Sequence, residues 1–515
     1  MSDPYIVTLD FGSTSAKCLI FDAQGKKVAQ VKRPWEFPDT QQDSLNQPSF
    51  SSQFAWSQIS SCCQEALNIS HITLNEIACV IPTSQRHGAV LLDKEGAFLF
   101  SFTNADERSA QPWSAIAKQH GEKIYKETGR WPQPVFLPAH LLWLKQERPD
   151  IHKQIGKLLG IQDWLVYQLC GKLVSERTIA SDLLLMNVLK GTWSSEIVKI
   201  FDLNPSILPP IEEAGAQIGK LSQQAANETG LLAGTPVLNG AADSQLALLG
   251  TGAIYPSDAA IIFGTSIPIL YLLDSPCFHP DGATWTNSHL LPNQWVLESN
   301  SGDAGLCLNL FRSKFIPNLS STNPIQEPEN LPSLFELDKL AGELEQKKIR
   351  HTASWGPIIF HGREWPEVNG VVTGLKLLGN HSIGWADLYF SLIENSALAI
   401  LGNLKQLVET AGKETQRVFL GGPAMESVIW QQILADVLGY PVLVPEEKEV
   451  TPLGAAVLAA SKMGVYSDLP STIKGMVRYS DINPRDDMVS FYQDRYLKWL
   501  DVYRFSIGNN NTLKE

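Results

Sequence analysis

The sequence has little of several features that would indicate a function at once. Cysteine is sparse, with 7 residues among 515 and no C-x-x-C pair. Such a scattered, odd set argues against a disulfide framework or a cysteine zinc site and favours reduced thiols in a cytoplasm. The apolar runs are too short for a membrane span. The first residues lead directly into a predicted strand, so we expect no signal peptide.

Positive charge is also in short supply. Lys and Arg number 41 against 54 Asp and Glu, which gives a formal net charge of −13, and no basic stretch stands out. We therefore expect no nucleic-acid partner. The pattern GxxxxGK[ST] is absent, which excludes a P-loop nucleotide site. The length and the hydrophobic content of 44% are those of a globular protein with two or three domains.

The most informative stretch lies near the N-terminus, where two short apolar strands are predicted over residues 6–9 and 18–21. Between them Asp10 ends the first strand, where a carboxylate can hold hydrated Mg²⁺, and Lys17 adds a positive charge. A glycine with positive φ would let a ligand approach the backbone, and hydroxyls beside free N–H groups suit phosphate. An ordinary hairpin with a polar turn is the alternative. The turn residues are Gly12, Ser13, Thr14 and Ser15.

A second copy of this plan occupies residues 259–272, with Gly264, Thr265 and Ser266 between two apolar strands. Two such turns predict two similar half-molecules. The pair resembles the phosphate-1 and phosphate-2 motifs of the superfamily of actin, heat-shock chaperone ATPases and sugar kinases. The string Asp-Phe-Gly-Ser-Thr-Ser-Ala-Lys most resembles the FGGY carbohydrate kinases. That resemblance implies an α/β protein of two ribonuclease-H-like domains with an interdomain ATP cleft.

The resemblance also implies a division of the chain and a nucleotide motif. We expect an N-terminal domain over residues 1–245, a C-terminal domain over 246–480 and a tail over 481–515. Residues 417–437 read as a strand, a glycine pair and a helix whose N-terminus faces a ligand. This stretch resembles the FGGY adenosine motif, with Pro423 where a third glycine is more usual. The implied nucleotide contacts are Gly421, Gly422 and Met425.

One carboxylate, Asp243, stands between a short strand and an apolar helix. Its local alternative role is that of a helix N-cap. The resemblance implies instead that Asp243 is the catalytic base, which accepts the proton of the sugar hydroxyl as that hydroxyl attacks the γ-phosphoryl group. It also implies that Asp243 joins Asp10 as a Mg²⁺ ligand.

The acceptor side is predicted from two loops with hydrogen-bonding side chains that suit a polyol: Gln85, Arg86, His87, Asp106 and Arg108. A solvated loop and a surface ion pair are the alternatives. The first loop is similar to those of xylulokinases and glycerol kinases. Asn104 and Gln245 are more similar to the autoinducer-2 kinase branch.

The predicted function is that of an ATP- and Mg²⁺-dependent carbohydrate kinase in the cytoplasm, with a ketose such as xylulose as the acceptor. The alternative acceptors are the linear dihydroxy-pentanedione of autoinducer-2 and a polyol such as glycerol. From other classes, a sugar-indifferent ATPase and a non-catalytic sugar- and ATP-binding regulator stay open. No membrane partner is expected, and assembly as a homodimer is left open.

Overall fold

The computed structural model describes residues 4–35, 49–106, 108–302, 304–314, 336–339, 342, 351–363, 366–374 and 385–508. The chain forms two compact units. Unit 1 contains residues 1–254, 272–296 and 449–478, and unit 2 contains 255–271, 297–448 and 479–515. Residues 449–478 pack with unit 1, and the described part of the predicted tail, residues 481–508, packs with unit 2. Local sequence does not reveal such a return of the chain, because it depends on long-range packing.

The strands, in chain order, are β1 Tyr5–Phe11, β2 Ser15–Phe21, β3 Lys27–Pro34, β4 Ile77–Ser84, β5 Ala89–Leu92, β6 Phe98–Phe102, β7 Lys157–Gly160, β8 Ser175–Glu176, β9 Met186–Asn187, β10 Thr192–Trp193, β11 Ile211–Glu212, β12 Gln217–Lys220, β13 Pro236–Leu238, β14 Asp258–Ile262, β15 Pro268–Leu273, β16 Trp285–Ser288, β17 Trp295–Asn300, β18 Thr352–Ser354, β19 Val371–Thr373, β20 Arg417–Gly421, β21 Val442–Pro445 and β22 Tyr479–Ile482.

The α-helices are α1 Ser52–Ser70, α2 Ala110–Thr128, α3 Leu137–Glu147, α4 Pro149–His152, α5 Ile161–Cys170, α6 Arg177–Asp182, α7 Ser195–Ile200, α8 Gln223–Thr229, α9 Asp243–Thr251, α10 Ala304–Lys314, α11 Trp385–Ala411, α12 Val428–Leu438, α13 Val450–Lys462, α14 Leu469–Met476 and α15 Asp486–Ser506. Short 3₁₀ helices span Leu74–Glu76, Pro205–Ile207 and Pro423–Glu426.

The main sheet of unit 1 has the strand order β12-β13-β4-β1-β2-β3. Strands β1 and β2 form the antiparallel hairpin predicted around the first turn, and β1 runs parallel to β4, which runs parallel to β13. The carboxyl ends of β1, β4 and β13 therefore meet at one edge of the sheet. In open α/β sheets this edge is the usual place for a ligand.

The main sheet of unit 2 repeats the plan. Its strands include the order β17-β15-β14-β20-β21-β22. The hairpin β14-β15 carries the second turn, β14 runs parallel to β20, and β20 runs parallel to β21. In both sheets the outer parallel strand is flanked by an antiparallel one, β12 in unit 1 and β22 in unit 2. The prediction of two similar half-molecules is confirmed.

Helix α1 shows why one face of the first sheet is covered. Ser51 caps the helix by accepting a hydrogen bond from the N–H of Phe54. Its buried residues recur at helical spacing, among them Ile59, Cys62 and Cys63, and pack in the core beneath β2. The cysteines act here as small apolar side chains, and the seven cysteines are all free thiols. Within the described ranges, no helix has the length and apolar character needed to cross a membrane.

Candidate active site

Three loops of unit 1 meet at the carboxyl edge of its sheet. The loop after β4 is tied to β1, because the N–H of Gln85 donates to the carbonyl of Phe11 at 2.8 Å. The loop after β13 is tied to β4, because Ser84 and Ala242 form a parallel bridge and the hydroxyl of Thr83 donates to the carbonyl of Ala241 at 2.9 Å. The predicted site residues that follow β1, β4 and β13 therefore lie at the same edge of the sheet.

Asp243 is the first residue of α9 and is partly exposed. The preceding Ala242 takes the N-cap position, so the alternative reading of Asp243 as the N-cap is wrong. Its Oδ1 accepts the N–H of Ser244 at 2.7 Å. Burial raises the pKa of Asp243 to about 7, while the charge of Arg86 lowers it and the carboxylate of Asp10 raises it. A carboxyl with that pKa can both accept and release a proton near neutral pH.

Asp10 lies one residue before the end of β1, which extends to Phe11 rather than ending at Asp10 as predicted, and it is 4% exposed. Lys17, opposite it on β2, holds its ammonium 3.6 Å from Oδ2 of Asp10 and 2.7 Å from Oε2 of Glu449. Burial raises the pKa of Asp10, Lys17 lowers it and Glu449 raises it. The two carboxylates together raise the pKa of Lys17 despite its burial. The predicted cation is thus present, and it is shared between two carboxylates of unit 1.

The first turn is held from beneath by Trp35. Its indole N–H donates to the carbonyl of Gly12 at 2.7 Å, and its backbone N–H donates to the carbonyl of Thr14 at 3.0 Å. Ser13 and Thr14 are exposed, whereas Ser15 is buried. Gly12 does not adopt the positive φ that glycine permits. A Cβ at position 12 would lie 3.2 Å from the carbonyl oxygen of Ser15. A larger residue would therefore be crowded at this position by the backbone of the turn.

His87 occupies a left-handed backbone conformation with φ 67°, which is unfavourable for a residue other than glycine. Its Nδ1 lies 3.3 Å from the carbonyl oxygen of Asp182, which assigns the ring proton to Nδ1. Burial and the charges of Arg86 and Arg130 hold the pKa of His87 well below its usual range. The ring is therefore neutral, and Nε2 can accept a hydrogen bond from a hydroxyl.

The other two predicted residues of this loop, Arg86 and Gln85, differ in their exposure to solvent. Arg86 is partly exposed and acts electrostatically on both Asp243 and His87. Gln85 is 2% exposed, and its Oε1 has no hydrogen-bond partner within the part of the chain that the structure describes. The reading of this loop as simply solvated is wrong for Gln85.

Sequence reasoning missed a polar cluster beside His87. The guanidinium of Arg130 pairs with the carboxylate of Asp182 and donates from Nε to Oδ1 of Asn287 at 2.5 Å. It also lies over the ring of Trp285, 5.3 Å from the centroid. The four residues come from separated parts of the chain, and none belongs to a motif that would have singled it out.

Asp106 and Arg108 form an ion pair, as the alternative reading proposed, but not at the surface. The Arg108 side chain is 2% exposed and its Nε donates to Oδ1 of Asp106 at 2.9 Å. Its guanidinium lies 4.7 Å from the ring centroid of Trp143 and 5.1 Å from that of Phe100. The geometry supports a structural role, and a sugar contact by either side chain stays a prediction.

In unit 2, the second turn is supported by the start of α10. The carbonyl of Thr265 accepts the N–H groups of Gly305 at 3.1 Å and Leu306 at 3.2 Å. A Cβ on Gly305 would lie 2.0 Å from the carbonyl oxygen of Gly264. The close packing of helix and turn therefore requires glycine at position 305. Ser266 completes the turn, and its carbonyl accepts the N–H of Gly264 at 3.1 Å.

The glycine pair lies at the carboxyl end of β20, next to the end of β14. Gly421 pairs with Ile262, and its carbonyl accepts the N–H of Phe263 at 2.8 Å. Gly422 has φ 97°, and a Cβ there would lie 2.2 Å from the carbonyl oxygen of Phe263. Pro423 then opens a 3₁₀ turn in which Met425 is fully buried. The two predicted nucleotide motifs of unit 2 are therefore neighbours at one sheet edge.

The donor set fits a magnesium ion that arrives with a phosphate ligand. Among the described residues, no three His, Cys, Asp or Glu side chains group closely enough to hold a metal by themselves. Mg²⁺ is usually held by one or two carboxylates together with water and phosphate oxygens. Asp10 and Asp243 are electrostatically coupled carboxylates of this kind.

Comparison with known proteins supports the resemblance over nearly the whole chain. The model of the FGGY family of carbohydrate kinases, N-terminal domain, matches residues 5–250, and that of the C-terminal domain matches residues 259–463. An autoinducer-2 kinase of Escherichia coli K12 is 30% identical over 520 residues, which is 98% of this chain and 95% of the relative.

Two solved structures share the fold. A ligand-bound xylulose kinase from Lactobacillus acidophilus is 20% identical with a TM-score of 0.84, over 98% of this chain and 99% of its own. A gluconate kinase from the same organism is 20% identical with a TM-score of 0.83, over 99% of each chain. The shared fold does not by itself identify the acceptor.

Proposed function

Since this chain belongs to the FGGY family of carbohydrate kinases, we propose that it transfers the γ-phosphoryl group of ATP to a hydroxyl of a small hydroxy-carbonyl compound, with Asp243 as the general base. The observation that carries the proposal is the convergence of Asp243, Asp10, Arg86 and His87 at the carboxyl edge of the unit 1 sheet. Phosphoryl transfer depends mainly on positioning and charge stabilisation, and this cluster offers both.

Asp243 is suited to accept the proton of the acceptor hydroxyl. Its pKa of about 7 makes the carboxylate available at neutral pH and still basic enough for proton transfer. Arg86 stabilises the ionised form, because its charge lowers the pKa of Asp243. His87 is neutral, and Nε2 can orient the acceptor by accepting a hydrogen bond from a second hydroxyl.

The phosphate side is proposed for the two hydroxyl-rich turns. Ser13 and Thr14 are exposed in the first turn, and Asp10 would hold Mg²⁺ through water with help from Asp243. Magnesium, when bound, neutralises charge that develops on the phosphoryl oxygens. Lys17 partly neutralises the negative charge of Asp10 and Glu449, because its ammonium forms ion pairs with both carboxylates.

Unit 2 is proposed to supply nucleotide contacts. Gly264, Thr265 and Ser266 offer backbone and hydroxyl groups to phosphate. Gly421 and Gly422 offer a surface without side chains to a flat ring. Position 422 requires glycine, because its φ is positive and a Cβ there would overlap a backbone oxygen. Met425 supports this turn from inside, where its carbonyl accepts the side-chain N–H of Gln431 at 2.8 Å.

Two acceptors are carried forward. The linear dihydroxy-pentanedione of autoinducer-2 is favoured by the 30% identical kinase that spans the chain, and by Asn104, whose position in the sequence is similar to that branch. A ketose such as xylulose is the second candidate, supported by the similarity of the His87 loop to that of xylulokinases.

The test is ADP release with Mg²⁺-ATP across the autoinducer-2 precursor, D-xylulose, D- and L-ribulose, gluconate, glycerol and no acceptor. The phosphorylated product is identified by mass spectrometry. Asp243→Asn should lower kcat about 10²–10⁴-fold while ATP binding persists. Asp468→Asn is the matched control, since this exposed aspartate caps α14 and asparagine caps equally well. ATP hydrolysis that is equal in every well would contradict the kinase proposal.

A further inference from the structure

Helix α6 connects the two loops that carry the proposed acceptor chemistry. At its first turn, the hydroxyl of Thr178 accepts the N–H of Ala242 at 2.9 Å, immediately before Asp243. At its last residue, the carbonyl of Asp182 lies 3.3 Å from Nδ1 of His87. Six residues of helix therefore contact both the base loop and the His87 loop. None of these contacts forms part of a catalytic motif.

The orientation of the Thr178 hydroxyl is determined by a buried carboxyl group. Glu176 Oε2 accepts the N–H of Thr178 at 2.7 Å, the N–H of Ile179 at 3.1 Å and the hydroxyl proton of Thr178. Because that proton is committed to Glu176, the hydroxyl oxygen presents its lone pairs to Ala242. Glu176 and Ala242 are fully buried and Thr178 is 2% exposed, so water does not compete for these bonds.

Glu176 is in turn fastened to α5. Oδ1 of Asp163 accepts the N–H of Glu176 at 2.9 Å, and Oδ2 accepts the hydroxyl of Ser175 at 2.7 Å and the N–H of Gly160 at 3.1 Å. Asp163 is itself fully buried. The bonds form a continuous path from α5 through Glu176 and Thr178 to the peptide before the base.

We propose that Thr178, oriented by Glu176, is a positioning residue that holds the peptide of Ala242 and thereby aims the Asp243 carboxylate at the acceptor hydroxyl. The inference rests on the proposed role of Asp243 as the base. Displacement of a reacting group by about 1 Å can cost about 10²-fold in rate, so loss of this bond should appear in kcat. Nucleotide affinity should be unaffected, because the Thr178 hydroxyl is engaged with Glu176 and with the peptide before the base.

The test compares Thr178→Val, which keeps the shape and removes the hydroxyl, with Thr178→Ser, which keeps the hydroxyl. Thr178→Val should lower kcat about 10- to 100-fold, with the KM for ATP within about twofold of wild type. Thr178→Ser should restore most of the rate. Thr229→Val is the control: Thr229 is equally buried, and its hydroxyl donates to Ala225 in α8. It should lower stability without lowering kcat per folded molecule.

The outcomes separate the two proposals. Wild-type rates in Thr178→Val, with Asp243→Asn inactive, would overturn the positioning role and leave the base assignment intact. A rate loss that Thr178→Ser does not restore, or that Thr229→Val reproduces, would also overturn it. If Thr178→Val does not fold, amide hydrogen exchange of the wild type decides. The Ala242 N–H should exchange slowly, and exchange as fast as in an exposed loop would overturn the proposal.

Discussion

Gly250 of α9 and Gly454 of α13 bring two helix backbones into direct contact. A Cβ added at Gly250 would lie 1.8 Å from the carbonyl oxygen of Val450, and one added at Gly454 would lie 1.8 Å from that of Leu246. Helix α9 begins at Asp243, and α13 follows Glu449, the partner of Lys17. The glycine contact therefore sets the spacing of two elements that begin at the candidate site.

Gly454→Ala should destabilise the protein although alanine is the better helix former. The helix propensity gain is about 1 kcal/mol, whereas the new methyl group would overlap backbone atoms and force the helices apart. We expect a net loss of about 1–3 kcal/mol and a lower kcat, both measured on the same preparation. Gly370→Ala is the control, because its Cβ would find only an ordinary contact at 3.5 Å. Equal stability of the two variants would contradict the prediction.

The pH dependence of activity should report the Asp243 carboxyl. A general base acts in its ionised form, and the pKa of Asp243 is raised to about 7, first by burial. With saturating ATP, kcat/KM for the acceptor should therefore fall about tenfold per pH unit below about pH 7. Asp182→Asn should move this limb to lower pH, because Asp182 raises the pKa of Asp243. A profile that is flat from pH 5 to 8 would exclude Asp243 as the base.

Glu176 should make stability fall as pH rises. Burial raises its pKa to about 8 from the usual 4.5. Between these values the unfolded chain loses its proton while the folded protein keeps it, so unfolding becomes easier by up to about 1.4 kcal/mol per pH unit. Glu176→Gln keeps an acceptor oxygen and removes the titration. The decline of the urea midpoint between pH 5 and 8 should be shallower in this variant, and identical slopes would contradict the prediction.

The contact between Lys17 and Glu449 should be energetically coupled. Their side chains are 16% and 15% exposed, and Asp10 lies beside them. Lys17→Met removes the cation that the two carboxylates share, so Glu449→Gln should recover part of the lost stability. A double-mutant cycle by urea unfolding measures this coupling. The exposed ion pair of Arg33 and Glu65 is the comparison, and its coupling energy is expected to be about 0–1 kcal/mol. A coupling energy between Lys17 and Glu449 that is smaller than the one between Arg33 and Glu65 would contradict the prediction.

Gly422→Ala should damage unit 2 more than the same change at Gly439. Both glycines have positive φ, 97° and 71°, so both substitutions carry the left-handed penalty of about 1–2 kcal/mol. Only at Gly422 would the methyl group also lie 2.2 Å from a backbone oxygen, whereas at Gly439 the nearest atom is a Val489 methyl at 3.5 Å. Calorimetry with ATP should show weaker binding for Gly422→Ala alone. Equal affinities would remove Gly422 from the nucleotide site.

The sequence by itself determined the elements whose chemistry is local. Each phosphate-type turn lies between the two strands that hold it, so contiguous residues were enough to predict β1-β2 and β14-β15. The same holds for the glycine pair after β20. The FGGY resemblance connected these pieces in order, and the two family matches bear it out.

Only the tertiary structure decided which distant residues act together. Lys17 and Glu449 are 432 positions apart, Arg130 and Asn287 are 157 apart, and Thr178 and Ala242 are 64 apart. The sequence around each of these residues does not indicate its partner. The interactions become important only through burial, because burial removes water as a competing partner. Packing also placed the ion pair of Asp106 and Arg108 in a buried position beside aromatic rings, where the alternative interpretation had expected a surface pair.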